Sequence, residues 1–419
     1  MAAPPSRLAP AVEVLTSPHV PRLLSASLLG RLPTGMAALA ILLAVLDRGG
    51  TYTAAGGLSA VYAASAAVGG PVLGRLIDRT RQAPVLLCSG AASAAGFVGL
   101  ALLDPVAHPL AAAGWAALAG AATPQLEPCL RVLWSPVLRD DEAVRTAYSL
   151  DAATQELVFV TGPLVVLAAT AAGGPSAGLL VAGALGLLGS LWFATAAPAR
   201  RWRGGPAAGA HPAGPLRSAA LVRLLVALLF VGATIGMFTV GITAYTDHLG
   251  APSAAGWLIA ANALGALIGG IAYTTAPSPA DEHRRLRALL AGLAVGYAPL
   301  VLQPGLLGTA PLAVLSGLAL PPVLACSFAL VGRLAPAGTI TEAHAWMITA
   351  FGAGNAAGSA AAGLAADLAS SRAALALGVL TGALALVIAA RPFTHHGPDT
   401  HHGPDTHHGP GTAPRPEGA

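Results

Sequence analysis

The sequence predicts an all-α membrane protein of twelve transmembrane helices arranged as two bundles of six. Three observations carry that expectation. Hydrophobic residues make up 55% of the 419 and charged residues only 10%, with a mean hydropathy of +0.69. Soluble domains carry about 25% charged residues, so this chain has too little charge to coat a water-facing surface. Apolar runs of the roughly 20 residues that a bilayer-crossing helix needs recur along the whole chain. The arginines between those runs fall almost entirely on one side.

In order, the spans are expected near 23–46, 52–74, 84–103, 108–133, 147–172, 176–197, 219–245, 252–275, 286–303, 307–330, 342–366 and 372–390. Pro/Gly pairs and charge clusters mark the breaks, among them Asp47-Arg48-Gly49-Gly50 and Asp281-Glu282-His283-Arg284-Arg285. The first run is too long for a cleaved signal peptide and is read as a span. Gly (51 residues) and Ala are abundant, and small residues let helices approach closely where lipid gives no hydrophobic drive for association. The fourth span holds Pro124 and Pro128, each of which removes a backbone donor and should kink it.

All 22 basic residues counted as Lys plus Arg are Arg. With the N-terminus in the cytoplasm, eighteen lie on the cytoplasmic side, Arg48 and Arg372 lie outside, and Arg31 and Arg131 fall within spans. That bias sets the orientation, and an even number of spans leaves both termini in the cytoplasm of a cell with the protein in its plasma membrane. Arginines in short loops are an orientation signal, so the net charge of +4 does not point to nucleic acid. Residues 1–22 form a cytoplasmic segment, 23–197 the first bundle, 198–218 a basic Gly/Pro-rich linker, 219–390 the second bundle and 391–419 a tail. The tail repeats Thr-His-His-Gly-Pro from Thr394, Thr400 and Thr406 and has too few apolar residues to form a core, so it is read as solvated. Cys88, Cys129 and Cys326 sit singly in apolar runs, which indicates neither disulfide framework nor zinc site.

Between the second and third spans runs Gly74-Arg75-Leu76-Ile77-Asp78-Arg79-Thr80-Arg81-Gln82-Ala83. This resembles the signature loop of the major facilitator superfamily, Gly-x-Leu-x-Asp-Arg-x-Gly-Arg-Arg/Lys, in which Gly74, Leu76, Asp78 and Arg79 match and the trailing half is replaced. Gly162-Pro163 in the fifth span resembles the core of the family's antiporter motif, whose other glycines are missing. Gly269-Gly270 with Arg284, Arg285 and Arg287 looks like a decayed second copy of the loop. The resemblance implies a secondary transporter working by alternating access, with the first, fourth, seventh and tenth helices lining the path. Gly74, Asp78, Arg79, Gly162 and Pro163 become gating candidates. Asp78 can pair with an arginine of its own loop or accept helix N-terminal amides, favouring one of two states.

A charge at the bilayer centre costs about 2.5–3.5 kcal/mol on insertion scales, so ions inside spans face a path or a partner. Arg31 lies inside the first span, and the fourth carries Gln125, Glu127 and Arg131, the last two sharing a face at i, i+4. The fifth span runs back beside the fourth, which brings Asp151 towards Arg131 and Glu156 towards Glu127. Arg31, Gln125, Glu127, Arg131, Asp151 and Glu156 are therefore the candidates for substrate or proton coupling, since closely placed carboxylates can exchange protons at accessible pH. In the eleventh span Glu342 is expected at the interface as a helix cap, with His344 titratable beside it and Asn355 bonding across helices. Thr234, Thr239, Thr243 and Tyr245 of the seventh span are expected to add milder polarity to the path.

Few charges and an apolar path suit small amphipathic or lipophilic molecules moved against protons, with efflux of drugs or metabolites the leading expectation. An importer of a small nutrient, or a non-transporting sensor or assembly protein, is the alternative. The expected partners are the lipid bilayer, a small-molecule substrate and protons, with no nucleic acid, no cofactor, no metal and a monomeric state. No HExxH pattern or phosphate-binding loop suggests an enzyme or ATP-driven pump.

Overall fold

The structure, a computed structural model, describes residues 9–138, 140–204, 213–251, 253–274 and 281–390, without the side chains of 9–11, 153, 156 and 274. The described elements are helical. After a short helix Ala9–Thr16 come α1 (Val20–Asp47), α2 (Tyr52–Arg79) and α3 (Gln82–Leu102). The fourth element is broken into α4a (Pro109–Ala121) and α4b (Leu126–Val137), and α5 (Asp141–Gly173) and α6 (Ala177–Ala194) follow. The second set comprises α7 (Ala219–His248), α8 (Ala254–Thr274), α9 (Glu282–Tyr297), α10a (Leu306–Gly317), α10b (Leu320–Leu334), α11 (Ile340–Leu368) and α12 (Ser371–Ile388). The His-rich tail and Arg139 lie outside the described residues.

Among the described residues, ten segments are long and apolar enough to cross a bilayer. The other two expected spans are present as helices. One is the broken α4a–α4b pair, and the other is α11, 29 residues rich in Ala and Gly. Boundaries shift where local chemistry extends a helix. The carboxylate of Asp140 accepts the Ala143 amide at 2.7 Å and starts α5 six residues early, at Asp141. Arg79, a cation in the last turn, suits the end of α2 five residues beyond its expected stop.

Packing repeats between the two sets. In the first, α1 packs on α2, α5 and α6, α2 on α4a, α3 on α4a and α6, and α5 on α6; in the second, α7 packs on α8, α11 and α12, α8 on α10a, α9 on α10a and α12, and α11 on α12. Each contact recurs six helices later, as an internal duplication requires. The sets meet through α2 with α11, α5 with α8 and α10b, and α4b with α11.

Glycine sets the closest approaches. A Cβ at Gly162 would lie 2.8 Å from the Gly35 carbonyl carbon, so α1 and α5 touch backbone to backbone there. Gly354 and Gly358 of α11 sit likewise against Leu229 and Ala233 of α7. Gly114 of α4a, by contrast, has nothing within 4 Å of its missing Cβ. Gly162→Val should therefore lower stability by about 1–3 kcal/mol through overpacking, whereas Gly114→Ala should be neutral or stabilising by up to about 1 kcal/mol. Thermal melting in detergent distinguishes the two, and equal melting points would contradict this packing.

Candidate functional site

Two arginines and two carboxylates meet between α1, α4b and α5. Arg31 of α1 donates from Nη1 to Asp151 Oδ1 at 2.7 Å, and its Nη2 lies 3.2 Å from Glu127 Oε2. Arg131 of α4b donates from Nε to Asp151 Oδ2 at 2.9 Å and from Nη2 to Glu127 Oε1. Asp151 thus bridges both guanidiniums and is fully buried, while Glu127 keeps 17% exposure. Gln155, one turn beyond Asp151, accepts from Arg31 Nη2. The four charges sum to zero. A compact neutral set is how ions persist inside a membrane, because each then has a counter-charge in place of water.

The folding of the sequence explains the meeting. Arg131 stands one turn after Glu127 on α4b, and α5 runs antiparallel beside it so that Asp151 reaches the same level. Arg31 arrives because the Gly35–Gly162 contact draws α1 onto α5. The expected cluster of Arg131, Asp151, Glu127 and Glu156 therefore gains Arg31 and Gln155; the side chain of Glu156 lies outside the described residues. Gln125 is buried in the break between α4a and α4b, where Nε2 donates to Thr123 O at 2.9 Å. The kink expected from Pro124 and Pro128 is thus a full interruption, with Pro124 inside the break and Pro128 in the first turn of α4b. The α10a–α10b interruption at 318–319 is its counterpart in the second set.

A second cluster joins the sets at the arginine-bearing end of the bundle, called here the basic end. The carboxylate of Asp78 accepts the Thr341 amide at 3.0 Å and the Glu342 amide at 2.8 Å, capping the N-terminus of α11 from across the interface. Arg75 forms a fork to Glu342, Nε to Oε2 at 3.0 Å and Nη2 to Oε1 at 2.7 Å. Gly74 permits both, since a Cβ there would lie 2.9 Å from Glu342 Cα. Gly214, in the linker's last turn at φ +51°, stands over the pair, and a Cβ on it would lie 2.8 Å from each Glu342 carboxylate oxygen. Arg79 is exposed, so Arg75 is the arginine of the loop that reaches the opposite set.

Several placements differ from the sequence expectations. Glu342 is not an exposed interfacial cap: it is 2% exposed and paired with Arg75, because Asp78 already caps its helix. His344 is buried with Nδ1 against the Ile340 carbonyl at 3.0 Å, within α11 itself. Asn355 is half-buried where the α11 backbone meets Gly236 of α7, and among the described residues its side chain makes no hydrogen bond across helices. Thr234 is buried and bonded to Thr381 and Gly378 of α12, and the Tyr245 hydroxyl donates to Gln303 O at 3.2 Å and accepts from Gly305 N at 3.0 Å. Both therefore tie helices together, leaving Thr239 and Thr243 as the exposed hydroxyls of α7. Gly162 lies at the close approach to Gly35, and α5 is continuous through Pro163.

Removing Arg75 alone leaves Glu342 buried without its cation. A buried pair broken this way loses about 3–5 kcal/mol; with Arg75 a third exposed, roughly 2 kcal/mol is expected here. Arg75→Ala should therefore speed hydrogen–deuterium exchange of the Thr341 and Glu342 amides, and Arg75→Ala with Glu342→Ala should restore most of the protection. Unchanged exchange in the single variant would contradict the pairing.

The sequence profile described as Major Facilitator Superfamily matches residues 23–338. By structure, the chain is similar to a bacterial homologue of the iron transporter ferroportin in an outward-facing state (TM-score 0.72, 17% identity, 88% of this chain and 98% of that one). It is also similar to the E. coli fucose:proton symporter (TM-score 0.65, 12% identity, 88% and 97%) and to the human organic anion transporter MFSD10 (TM-score 0.61, 16% identity, 92% and 100%). None of the curated protein sequences matches this one closely enough to count as a relative. At these identities the likeness is one of fold. The matched profile spans most of the chain, and the protein belongs to the major facilitator superfamily of secondary transporters.

Proposed function

We propose that the protein is a proton-coupled exporter of small amphipathic or lipophilic molecules, with Arg31, Glu127, Arg131 and Asp151 as its coupling site. The observation that supports this most strongly is the neutral four-charge set with Glu127 as its most exposed member. Adding a proton leaves an uncompensated positive charge in a medium of low dielectric, which is costly unless a group moves or a ligand enters. That cost links protonation to conformation. The basic end is read as cytoplasmic because the arginine-rich loops gather there. Its closure by Asp78, Arg75 and Glu342 then corresponds to an outward-facing state of a plasma-membrane protein with both termini inside. Segments 23–197 and 219–390 would rock about the coupling site, joined by 198–218.

The test is uptake of ethidium and related lipophilic dyes into proteoliposomes under an imposed pH gradient. The intact protein should drive accumulation, and Glu127→Gln should reduce gradient-driven accumulation by about tenfold or more, the scale of about 1.4 kcal/mol of lost coupling. Substrate exchange without a gradient should persist in that variant. Full gradient-driven accumulation by Glu127→Gln would remove Glu127 from the coupling site.

A further inference from the structure

One aromatic side chain connects the charge set to the opposite half of the molecule. Phe328 of α10b is buried, and the guanidinium carbon of Arg131 lies 3.3 Å from its ring centroid. The Tyr148 ring of α5 also packs against it, 6.1 Å away at 59°. Phe328 thus brings a side chain of the second set into contact with both α4b and α5 of the first. Arg131 already gives Nε and Nη2 to Asp151 and Glu127, Nη1 is buried with no hydrogen-bond partner among the described residues, and the face of the guanidinium lies on the ring. Beside this contact lies a 320 Å³ cavity at the basic end, lined by Arg131 and Tyr148 together with Arg145, Glu282 and Arg333.

We propose that Phe328 is a positioning residue through which the charge state of the four-residue set controls closure of the basic end. The inference rests on reading that set as the coupling site, and it names how the second half senses it. Attraction between a cation and a ring face grows with the uncompensated positive charge over the ring. With both carboxylates ionised, Arg131 is largely neutralised and the hold on Phe328 is weakest. Removing one negative charge from the set leaves more of the guanidinium charge to act on the ring and favours closure. Opening the basic end carries α10b away and breaks the contact, so the two events are linked thermodynamically in both directions. The Arg75–Glu342 fork and the Asp78 cap hold the closed end without any contact to the charge set. Phe328 supplies that contact.

The test measures closure directly and needs neither substrate nor gradient, so its outcome is independent of whether ethidium is transported. Spin labels on cysteines at the exposed positions Glu142 and Ala337, with Cys88, Cys129 and Cys326 replaced, report the distance between halves at the basic end by pulsed electron resonance. Phe328→Leu should shift the closed-to-open ratio towards open by roughly fivefold, while Phe328→Trp should keep it closed. Glu127→Gln should raise the closed fraction with Phe or Trp at 328 and have no effect with Leu. If the Leu variant does not fold, Phe328→Met takes its place. A Leu variant as closed as the parent, or an equal effect of Glu127→Gln in both backgrounds, would overturn the proposal.

Discussion

The charged clusters of this molecule answer to one constraint: an ion inside a membrane must carry its counter-ion with it. Arg31 and Arg131 can occupy the interior because Asp151 bridges both and Glu127 completes a neutral set. That neutrality is also a point of sensitivity, since a single proton gained or lost there unbalances a region with little water to screen it. The rest of the architecture delivers three helices to one place.

The two clusters divide the work between them. The charge set lies within the first six helices, held by the backbone approach at Gly35 and Gly162. The Asp78, Arg75 and Glu342 cluster spans the two halves, and its bonds join residues more than 260 apart in sequence. Glycine again determines what is possible: Gly74 lets α2 reach the first turn of α11, and Gly214 lets the linker fold over the resulting ion pair. A carboxylate capping a helix across an interface is a switchable contact, strong when aligned and lost entirely when the helices part.

Much of the fold was legible because membrane insertion imposes a length, an apolar composition and a charge asymmetry that a single sequence displays. The meeting of Arg131 with Glu127 and Asp151 followed from helical spacing and an antiparallel neighbour. Arg31 could be placed in its span but not in the set, because the register of α1 on α5 depends on a glycine contact with no local signature. Glu342 looked like an ordinary first-turn acid, since nothing near it reveals Arg75 arriving from 267 residues away. Phe328 was invisible for a different reason: one aromatic within an apolar run has no pattern to set it apart. The interruption of α10 was hidden by continuous hydrophobicity across 318–319.

The central claim is that the buried set takes up and gives back a proton. Infrared difference spectra of the reconstituted protein between acidic and alkaline buffer read this directly through the carbonyl stretch of a protonated carboxyl. A band that arises at low pH and disappears or shifts in Glu127→Gln is the predicted result. Spectra with no such band, or one indifferent to Glu127, would mean that the four charges serve the fold alone.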